Sequence, residues 1–191
     1  MLKKTIRIMT KTGDQGMTSL ADGSRISKAS PRIDSIGHVD ELNSILGLLI
    51  TLALPEDIKT GLLRIQNELF TVSAELAKSS RQPVEADQVR WIEVQAEQYD
   101  TNLLPLRGFV LPGGSYEGAL LHLARSVCRR AERSLSILYT TEPASDTLRR
   151  YMNRLSDLLF IYARAVNRMA NKEETLWQPQ ERESNPVHEE N

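Results

Sequence analysis

The sequence predicts an all-α fold, an up-and-down bundle of five helices preceded by a glycine-rich loop. Apolar residues recur at alternating steps of three and four along five stretches from residue 32 onward. Prolines or clusters of turn residues separate these stretches, which leaves only short connections. No stretch shows the sustained apolar-polar alternation of a half-buried strand. We therefore predict helices throughout the bundle and no strands.

The composition fits one soluble globular domain. The chain has 191 residues, of which 40% are hydrophobic and 26% charged, and its formal net charge is −1. This balance argues against a nucleic-acid binder. No apolar run reaches the ~18 residues needed to span a bilayer, and residues 1–10 resemble neither a secretory signal nor a transit peptide. We therefore predict a cytoplasmic protein that contacts neither nucleic acid nor membrane.

The first three helices follow from their apolar series. The first series runs over residues 39–53 and stops before Pro55, and the second runs over 58–76. The third covers residues 89–103 and stops before Pro105. Each series is long enough for a helix of three to five turns.

The last two helices begin at recognisable capping residues. Ser115 is the predicted N-cap of the fourth helix, and Ser145 or Asp146 is the predicted N-cap of the fifth. The fifth apolar series covers residues 148–169. The apolar stripe of the fourth helix consists of Ala124, Val127, Cys128, Ala131, Leu135 and Leu138. Cys128 is the one cysteine, which excludes a disulfide within the chain and a cysteine-rich zinc site.

These elements place one domain over residues 1–177. Residues 1–31 form its loop segment and residues 32–171 form the helical bundle. Residues 178–191 are polar and include Pro179 and Pro186, so we expect this tail to be disordered.

The fourth helix carries a row of arginines. Arg125, Arg129 and Arg133 are four residues apart and share one face beside the apolar stripe, with Glu132 next to them. Guanidinium groups bind oxyanions with two parallel hydrogen bonds, so this row suits a phosphate-rich ligand. The alternative is a solvated basic face with an ion pair between Arg129 and Glu132.

The N-terminal loop offers a second group of anion-binding residues. Gly13 and Gly16 allow positive φ, so that successive backbone N–H groups can converge on an anion. Lys11 and Lys28 add charge, and hydroxyl groups come from Thr10, Thr12, Thr18 and Ser19. The pattern matches neither a Walker A loop nor an EF-hand. A plain surface turn is the alternative.

Other candidate chemistries are weaker. The Glu-x-x-His pairs of di-iron bundles are absent, and we read His38 and His122 as hydrogen-bonded structural residues. On the fifth helix the polar residues Asn153, Ser156 and Asp157 share a face with Phe160. It either makes hydrogen bonds between helices or binds a ligand through Asn153. The loop, the arginine row and this face together predict a nucleoside triphosphate site.

Five motifs in this order resemble those of the PduO-type ATP:cob(I)alamin adenosyltransferases. They are Thr10-Lys11-Thr12-Gly13-Asp14-x-Gly16-x-Thr18, Val39-Asp40-Glu41-Leu42-Asn43, Phe109-Val110-Leu111-Pro112-Gly113-Gly114, Arg129-Arg130-Ala131-Glu132-Arg133 and Tyr151-Met152-Asn153-Arg154-Leu155-Ser156-Asp157. The resemblance covers nearly the whole chain, from about Thr10 to Trp177. The one departure noted is Met152, where the family often has leucine, and this change conserves volume.

The resemblance implies a five-helix bundle of the cobalamin adenosyltransferase type, similar to ferritin-like bundles, assembled as a homotrimer with ATP between neighbouring subunits. One subunit would hold the triphosphate with Thr10, Lys11, Thr12, Gly13, Thr18, Ser19 and Lys28. The adjacent subunit would complete the site with Arg129, Arg130, Ala131, Glu132 and Arg133, and Asn153 would contact the nucleotide. The catalytic set implied is Arg129, Asp40, Glu132 and Phe109. Asp40 would pair with Arg129 across the interface, and Phe109 would lie against the corrin and keep the lower axial ligand away.

The implied reaction is attack of Co(I) of a corrinoid on the 5′ carbon of ATP, with release of inorganic triphosphate. Mg²⁺ would be carried by ATP, with no side-chain metal ligands assigned. A reductase that supplies Co(I) and an adenosylcobalamin-dependent acceptor enzyme are the partners to expect. De novo synthesis, salvage and support of a catabolic pathway all remain open.

Two rival functions also remain at this point. One is a non-catalytic nucleotide-sensing bundle that binds ATP and a partner protein. The other is an ATP-using transferase that acts on a different acceptor.

Overall fold

Five helices make up most of the chain. The computed structural model describes residues 9, 11–80, 83–143 and 145–179. The helices are α1 Pro31–Ile50, α2 Glu56–Leu76, α3 Ala86–Asp100, α4 Tyr116–Leu138 and α5 Asp146–Met169. They confirm the predicted bundle, although α1 and α3 each end about three residues before the predicted limit. None of the helices in the described part of the chain combines the length and apolarity needed to cross a bilayer.

The helices form a closed ring. α1 packs against α2 and α4, and α5 packs against α4 and α3. Side chains connect α2 to α3, because the Arg64 guanidinium lies 4.2 Å from the centroid of the Trp91 ring and the Tyr99 hydroxyl donates a hydrogen bond to Asp57. The predicted apolar stripe of α4 is buried in the centre of this ring.

Cys128 lies at the contact of α4 with α5. It is fully buried, and its thiol donates a weak hydrogen bond to the Met152 carbonyl at 3.4 Å. Burial raises the pKa of the Cys128 thiol, and the neighbouring Glu132 carboxylate raises it further.

Serine side chains begin three of the helices. Ser30, Ser115 and Ser145 accept hydrogen bonds from the backbone N–H groups of Ile33, Gly118 and Leu148 at 3.4, 3.0 and 3.3 Å. Ser115 is thus confirmed as the cap of α4. Of the two alternatives for α5, Ser145 is the cap.

A short hairpin corrects the prediction of no strands. β1 Met17–Ser19 pairs antiparallel with β2 Arg25–Ser27, with Thr18 opposite Ile26. Three-residue strands are too short to produce a recognisable period in sequence. The hairpin is held on the bundle by the buried side chain of Leu20 and by a hydrogen bond from Ala21 N to the Ala77 carbonyl of 2.8 Å.

One ion pair fixes the end of the bundle nearest this hairpin. Arg32, at the start of α1, donates hydrogen bonds to the Glu142 carboxylate and to the carbonyl of Leu76 at the end of α2. Glu142 belongs to the connection between α4 and α5. The hydrogen bond from Arg32 lowers the pKa of Glu142, while its partial burial opposes this effect.

After α5 the described chain continues to residue 179 and pairs with the connection between α3 and α4. Leu176 forms a bridge with Val110, in the connection between α3 and α4. The predicted domain limit at residue 177 remains a prediction, and residues 180–191 of the predicted disordered tail lie outside the described residues.

Candidate functional site

The arginines of α4 fall into two groups. Arg125 is half-buried with its guanidinium 5.2 Å from the centroid of the Phe160 ring, and Arg130 forms an ion pair with Glu41 of α1. Arg129 and Arg133 are exposed, and neither makes a hydrogen bond or ion pair with another described residue. These two cations are therefore available to an anionic ligand, whereas Arg130 is already neutralised.

Glu132 connects the arginine row to α5. Its carboxylate accepts a hydrogen bond from Asn153 Nδ2 at 3.0 Å. The ion pair between Arg129 and Glu132, considered above as an alternative, does not form among the described residues. The structure thus brings two of the three predicted polar sets together, because the packing of α4 on α5 juxtaposes them.

Arg154 extends this polar contact and was missed as a site residue. It donates to Asn153 Oδ1 at 2.8 Å and lies 3.7 Å from Asp157. It also pairs with Glu93 of α3 at 3.1 Å. Its place directly after Asn153 in the quoted motif was the signal that could have found it. Partial burial raises the pKa of Asp157, an effect that the Arg154 guanidinium opposes.

A cleft of about 580 Å³ opens beside this contact. It is lined by the second half of α4 and the first half of α5, and its lining includes Glu132 and Asn153. Two further arginines, Arg149 and Arg150, line its rim. An open polar cleft of this size can accommodate a nucleoside.

Ala131 has a different position from its neighbours in the motif. Its side chain is fully buried in the apolar stripe of α4. It can therefore contact no ligand through its side chain, and its small size lets α4 approach the core closely.

The N-terminal loop is a folded unit in which Lys28 lies over Gly13. The backbone N–H of Lys28 donates to the Gly16 carbonyl at 2.8 Å, and an added Cβ at Gly13 would be 2.9 Å from Lys28 Nζ. Gly16 and Lys11 both have positive φ, of 75° and 58°. A left-handed backbone costs about 1 kcal/mol or more for a non-glycine residue such as Lys11, and such strain is typical of ligand sites.

Arg25, which the sequence did not single out, holds the loop closed. Its guanidinium donates to the Thr12 carbonyl at 2.9 Å and to Ser19 Oγ at 3.3 Å. Thr18 lies in β1 beside these groups and is half-buried. Thr10, the first residue of the predicted loop site, lies outside the described residues.

Asp40 is exposed on α1 next to Glu41. Glu41 pairs with Arg130 inside the chain, so Asp40 and Arg129 are each the sequence neighbour of a residue in this ion pair. The predicted pair between Asp40 and Arg129 of another subunit remains a prediction.

Phe109 stands out as an apolar side chain in solvent, with an exposed fraction of 78%. Its ring packs edge-to-face against Trp177, with 6.3 Å between ring centroids. The Trp177 backbone N–H donates to the Phe109 carbonyl at 2.8 Å. Trp177 was not predicted as a site residue, because 68 positions of the sequence separate the two aromatic side chains.

His38 and His122 each have a ring nitrogen without a hydrogen-bond partner among the described residues, which corrects the prediction that both are fully hydrogen-bonded. His122 is buried against the Phe160 ring, and its Nε2 has no partner among the described residues. Burial lowers the pKa of His122, so the ring is neutral near pH 7. His38 lies 3.6 Å from Asp34, and its Nδ1 makes no hydrogen bond in the described part. Within the described ranges, no three His, Cys, Asp or Glu side chains form a metal-binding group.

Comparison with known families and relatives adds a specific resemblance. The family model for cobalamin adenosyltransferase matches residues 8–166. A cobalamin adenosyltransferase of Cupriavidus metallidurans is 48% identical over 179 residues, which cover 93% of this chain and 97% of that protein. A corrinoid adenosyltransferase of Bacillus subtilis is 41% identical, with coverage of 85% and 87%. The chain spans only 51% of the corrinoid adenosyltransferase PduO of Salmonella typhimurium, to which it is 41% identical.

Solved structures show the same architecture. A variant of the PduO-type ATP:corrinoid adenosyltransferase of Lactobacillus reuteri, complexed with cobalamin and ATP, superposes with a TM-score of 0.84 at 31% identity. The match covers 91% of this chain and all of that one. A second variant of the same enzyme, complexed with ATP, gives a TM-score of 0.83 at 32% identity, with coverage of 90% and 100%.

Proposed function

The chain belongs to the cobalamin adenosyltransferase family, and from this premise we propose how its residues perform the reaction. The enzyme is a corrinoid adenosyltransferase that uses ATP. The observation that carries the proposal is a pair of arginines, Arg129 and Arg133, that have no ion-pair partner among the described residues. They stand on either side of Glu132 in α4, and Glu132 and Asn153 both line the cleft.

The reaction transfers the 5′-deoxyadenosyl group of ATP to the corrinoid. Co(I) supplies the electron pair of the new cobalt–carbon bond, and the bond between C5′ and its oxygen breaks. Triphosphate leaves with the electrons of that bond, and cobalt is formally oxidised to Co(III). The nucleophile comes from the substrate, so the protein needs no general base. Its tasks are to align the reacting atoms and to stabilise charge on the leaving group.

The nucleoside and the triphosphate require different residues. Asn153 and Glu132, which line the cleft, offer an amide and a carboxylate to the polar groups of the nucleoside. Lys11, Lys28 and the loop N–H groups suit the triphosphate, with hydroxyl groups from Thr12, Thr18 and Ser19 nearby. Mg²⁺ would be carried by ATP and would reduce the charge that the loop must neutralise.

The loop and the arginine row belong to different subunits in this proposal. Along the antiparallel contact of α1 with α4, Arg32 lies opposite Glu142 and Glu41 opposite Arg130. These two levels are about 14 Å apart along α1 at ~1.5 Å per residue, and the loop joins α1 at the first of them. A homotrimer in which the loop of one subunit covers the arginine row of the next would close this gap.

We propose that Phe109 contacts the corrin, and the exposure of its ring supports this role. An exposed aromatic ring loses unfavourable contact with water when a flat macrocycle covers it. It brings no donor atom to cobalt. Exclusion of the lower axial ligand stabilises the reduced metal, because axial donors favour the more oxidised state.

The setting of the reaction follows from its chemistry. Formation of Co(I) consumes an electron, so we propose a reductase as partner and the cytoplasm, where ATP and reductant are available, as location. An adenosylcobalamin-dependent enzyme is the expected acceptor of the product.

An anaerobic absorbance assay tests the function. Reduced cobalamin and MgATP are mixed with the purified protein. Loss of the Co(I) absorbance should accompany formation of a light-sensitive alkylcobalamin and of one triphosphate per turnover. An unchanged cobalamin spectrum with retained ATP binding would refute the proposed acceptor.

A further inference from the structure

The connection that carries Phe109 is fixed to α5 on both sides of this residue. We define the Phe109 loop as residues 101–115, between α3 and α4, and the C-terminal strap as residues 173–177. Most of the loop is exposed, and only a short β-bridge gives it regular structure. Its conformation therefore depends on the side chains that hold it.

The first anchor is Arg164, which is 96% buried on α5 by its exposed fraction of 4%. Its Nε and Nη2 donate to the two carboxylate oxygens of Glu174 at 2.5 and 3.0 Å, and Nη2 also donates to the Leu104 carbonyl at 2.8 Å. One guanidinium group thus binds the strap and the loop before Phe109. This geometry depends on the fork of arginine and would not be reproduced by lysine.

The second anchor is Asn167, one turn further along α5. Its Nδ2 donates to the Gly113 carbonyl at 2.9 Å, and its Oδ1 accepts from the N–H and hydroxyl of Ser115 at 2.9 and 3.0 Å. An added Cβ at Gly114 or Gly118 would lie under 3.0 Å from the Asn167 side chain. The two glycines therefore leave the space in which this amide binds the loop after Phe109.

Between the anchors, the strap supports the loop directly. Leu111 N donates to the Thr175 carbonyl at 2.8 Å, and Trp177 N donates to the Phe109 carbonyl at 2.8 Å. The edge of the Trp177 ring then limits the orientations of the Phe109 ring.

We propose that Arg164 and Asn167 are positioning residues that set the height and orientation of Phe109. They act through the loop and the strap and do not touch substrate. Both are on α5, the helix that also carries Asn153. One rigid helix therefore relates the nucleoside cleft to the aromatic ring. The inference rests on the proposed contact of Phe109 with the corrin.

The test compares two corrinoids, because positioning of Phe109 matters most where a strong lower ligand must be kept away. Cobalamin has a nucleotide base as its lower ligand, whereas cobinamide has only a weakly bound water there. Glu174→Gln removes the charge from the partner of Arg164. Asn167→Ser replaces the amide of the second anchor by a shorter side chain. Each should lower the rate with Co(II)-cobalamin and reductant about tenfold relative to the rate with cobinamide. The KM for ATP should change less than about twofold, since neither substitution alters a residue that we assign to ATP binding.

Glu142→Gln is the matched control. It removes the charge from another partly buried Arg–Glu pair whose arginine also binds a backbone carbonyl. It lies in the connection between α4 and α5, so the cobalamin-to-cobinamide rate ratio should stay at the wild-type value. This ratio is independent of the fraction of molecules that fold, since that fraction multiplies both rates.

Phe109→Ala separates failure of the inference from failure of its premise. If Phe109→Ala lowers the rate ratio but Glu174→Gln and Asn167→Ser do not, the positioning role is wrong and the corrin contact stands. If Phe109→Ala leaves the ratio unchanged, the proposed contact itself is wrong. Electron paramagnetic resonance of Co(II)-cobalamin with MgATP gives a second readout. Co(II) that has lost its lower axial ligand is four-coordinate and has its own spectrum. The two anchor variants should show less of this spectrum than wild type, and a wild-type spectrum in both would overturn the inference.

Discussion

At the scale of single residues, Arg129 is the side chain with the most specific expected role. It is exposed, without an ion pair in the described part, and next to the Glu132–Asn153 contact. Arg129→Ala should leave a folded protein and lower kcat/KM about 100-fold, because a charge that stabilises the leaving triphosphate is lost. Steady-state kinetics measure this effect. Arg90→Ala, an exposed arginine on α3, serves as the control and should have the wild-type kcat/KM.

Glu142 gives a prediction on pH and stability. Its folded-state pKa is lowered below the ordinary value of 4.5, chiefly by the hydrogen bond from Arg32. The carboxylate therefore contributes stability above pH 4.5, and that contribution is lost as pH falls through the lowered folded value. Glu142→Gln should reduce the free energy of unfolding at pH 7, with the difference from wild type shrinking in acid. Urea titrations at pH 7 and below pH 4 measure it, and a constant difference would contradict the assignment.

Local sequence information was sufficient for some residues and not for others. Ser115 and Ser145 were predictable as caps because a cap depends on a side chain and an N–H three residues later. The pair of Arg130 with Glu41 was not, since the partners are 89 positions apart and meet only when α1 packs on α4. The role of Arg130 as a ligand of ATP, which the resemblance implies, remains a prediction.

At the scale of elements, the start of α4 is limited by the size of one residue. A Cβ at Gly118 would overlap the Asn167 side chain, whereas a Cβ at Gly37 on α1 would meet nothing within 4 Å. Gly118→Ala should destabilise the protein by about 2 kcal/mol through overpacking. Gly37→Ala should stabilise it by up to about 1 kcal/mol through helix propensity. Urea unfolding of both variants measures these free energies.

The Gly118 prediction has its own internal check. In the Asn167→Ala background the obstacle is gone, so the added methyl group should cost little. A double-mutant cycle should then give a coupling of about 1 kcal/mol or more. Equal costs in both backgrounds would place the strain elsewhere.

The apolar periods predicted the five helices well, because the buried face of a helix requires an apolar residue at every third or fourth position. They could not reveal the β1–β2 hairpin or the strap. The pairing within each of them is made by backbone hydrogen bonds, which any residue except proline can make, and the side chains that fix them to the bundle are far apart in sequence from their partners. Thus the scaffold of the site was predictable, whereas the support of Phe109 required the three-dimensional structure.

At the scale of the whole molecule, the proposed division of the site between subunits can be tested by complementation. Lys28→Ala and Arg129→Ala should each have little activity alone, about one hundredth of the wild-type value for Arg129→Ala. In trimers formed by co-expression at equal levels, about a quarter of the interfaces would join an intact loop to an intact arginine row. Activity should therefore recover to about a quarter of the wild-type value.

The mass of the assembly is the control for this experiment. Light scattering should give three times the mass of one chain for wild type and for the mixture. Trimers without recovered activity would mean that Lys28 and Arg129 act within the same subunit.

The burial of Cys128 has a practical consequence for kinetic measurements. As the one thiol of the chain, enclosed between α4 and α5 and with a raised pKa, it cannot react with a thiol reagent until these helices separate. The rate at which Cys128 of the wild-type enzyme is labelled therefore measures how often α4 and α5 separate. MgATP should lower this labelling rate by the factor by which it stabilises the closed state, 1 + [ATP]/Kd. Labelling at the rate of a free thiol would show that the helices separate readily in the native enzyme.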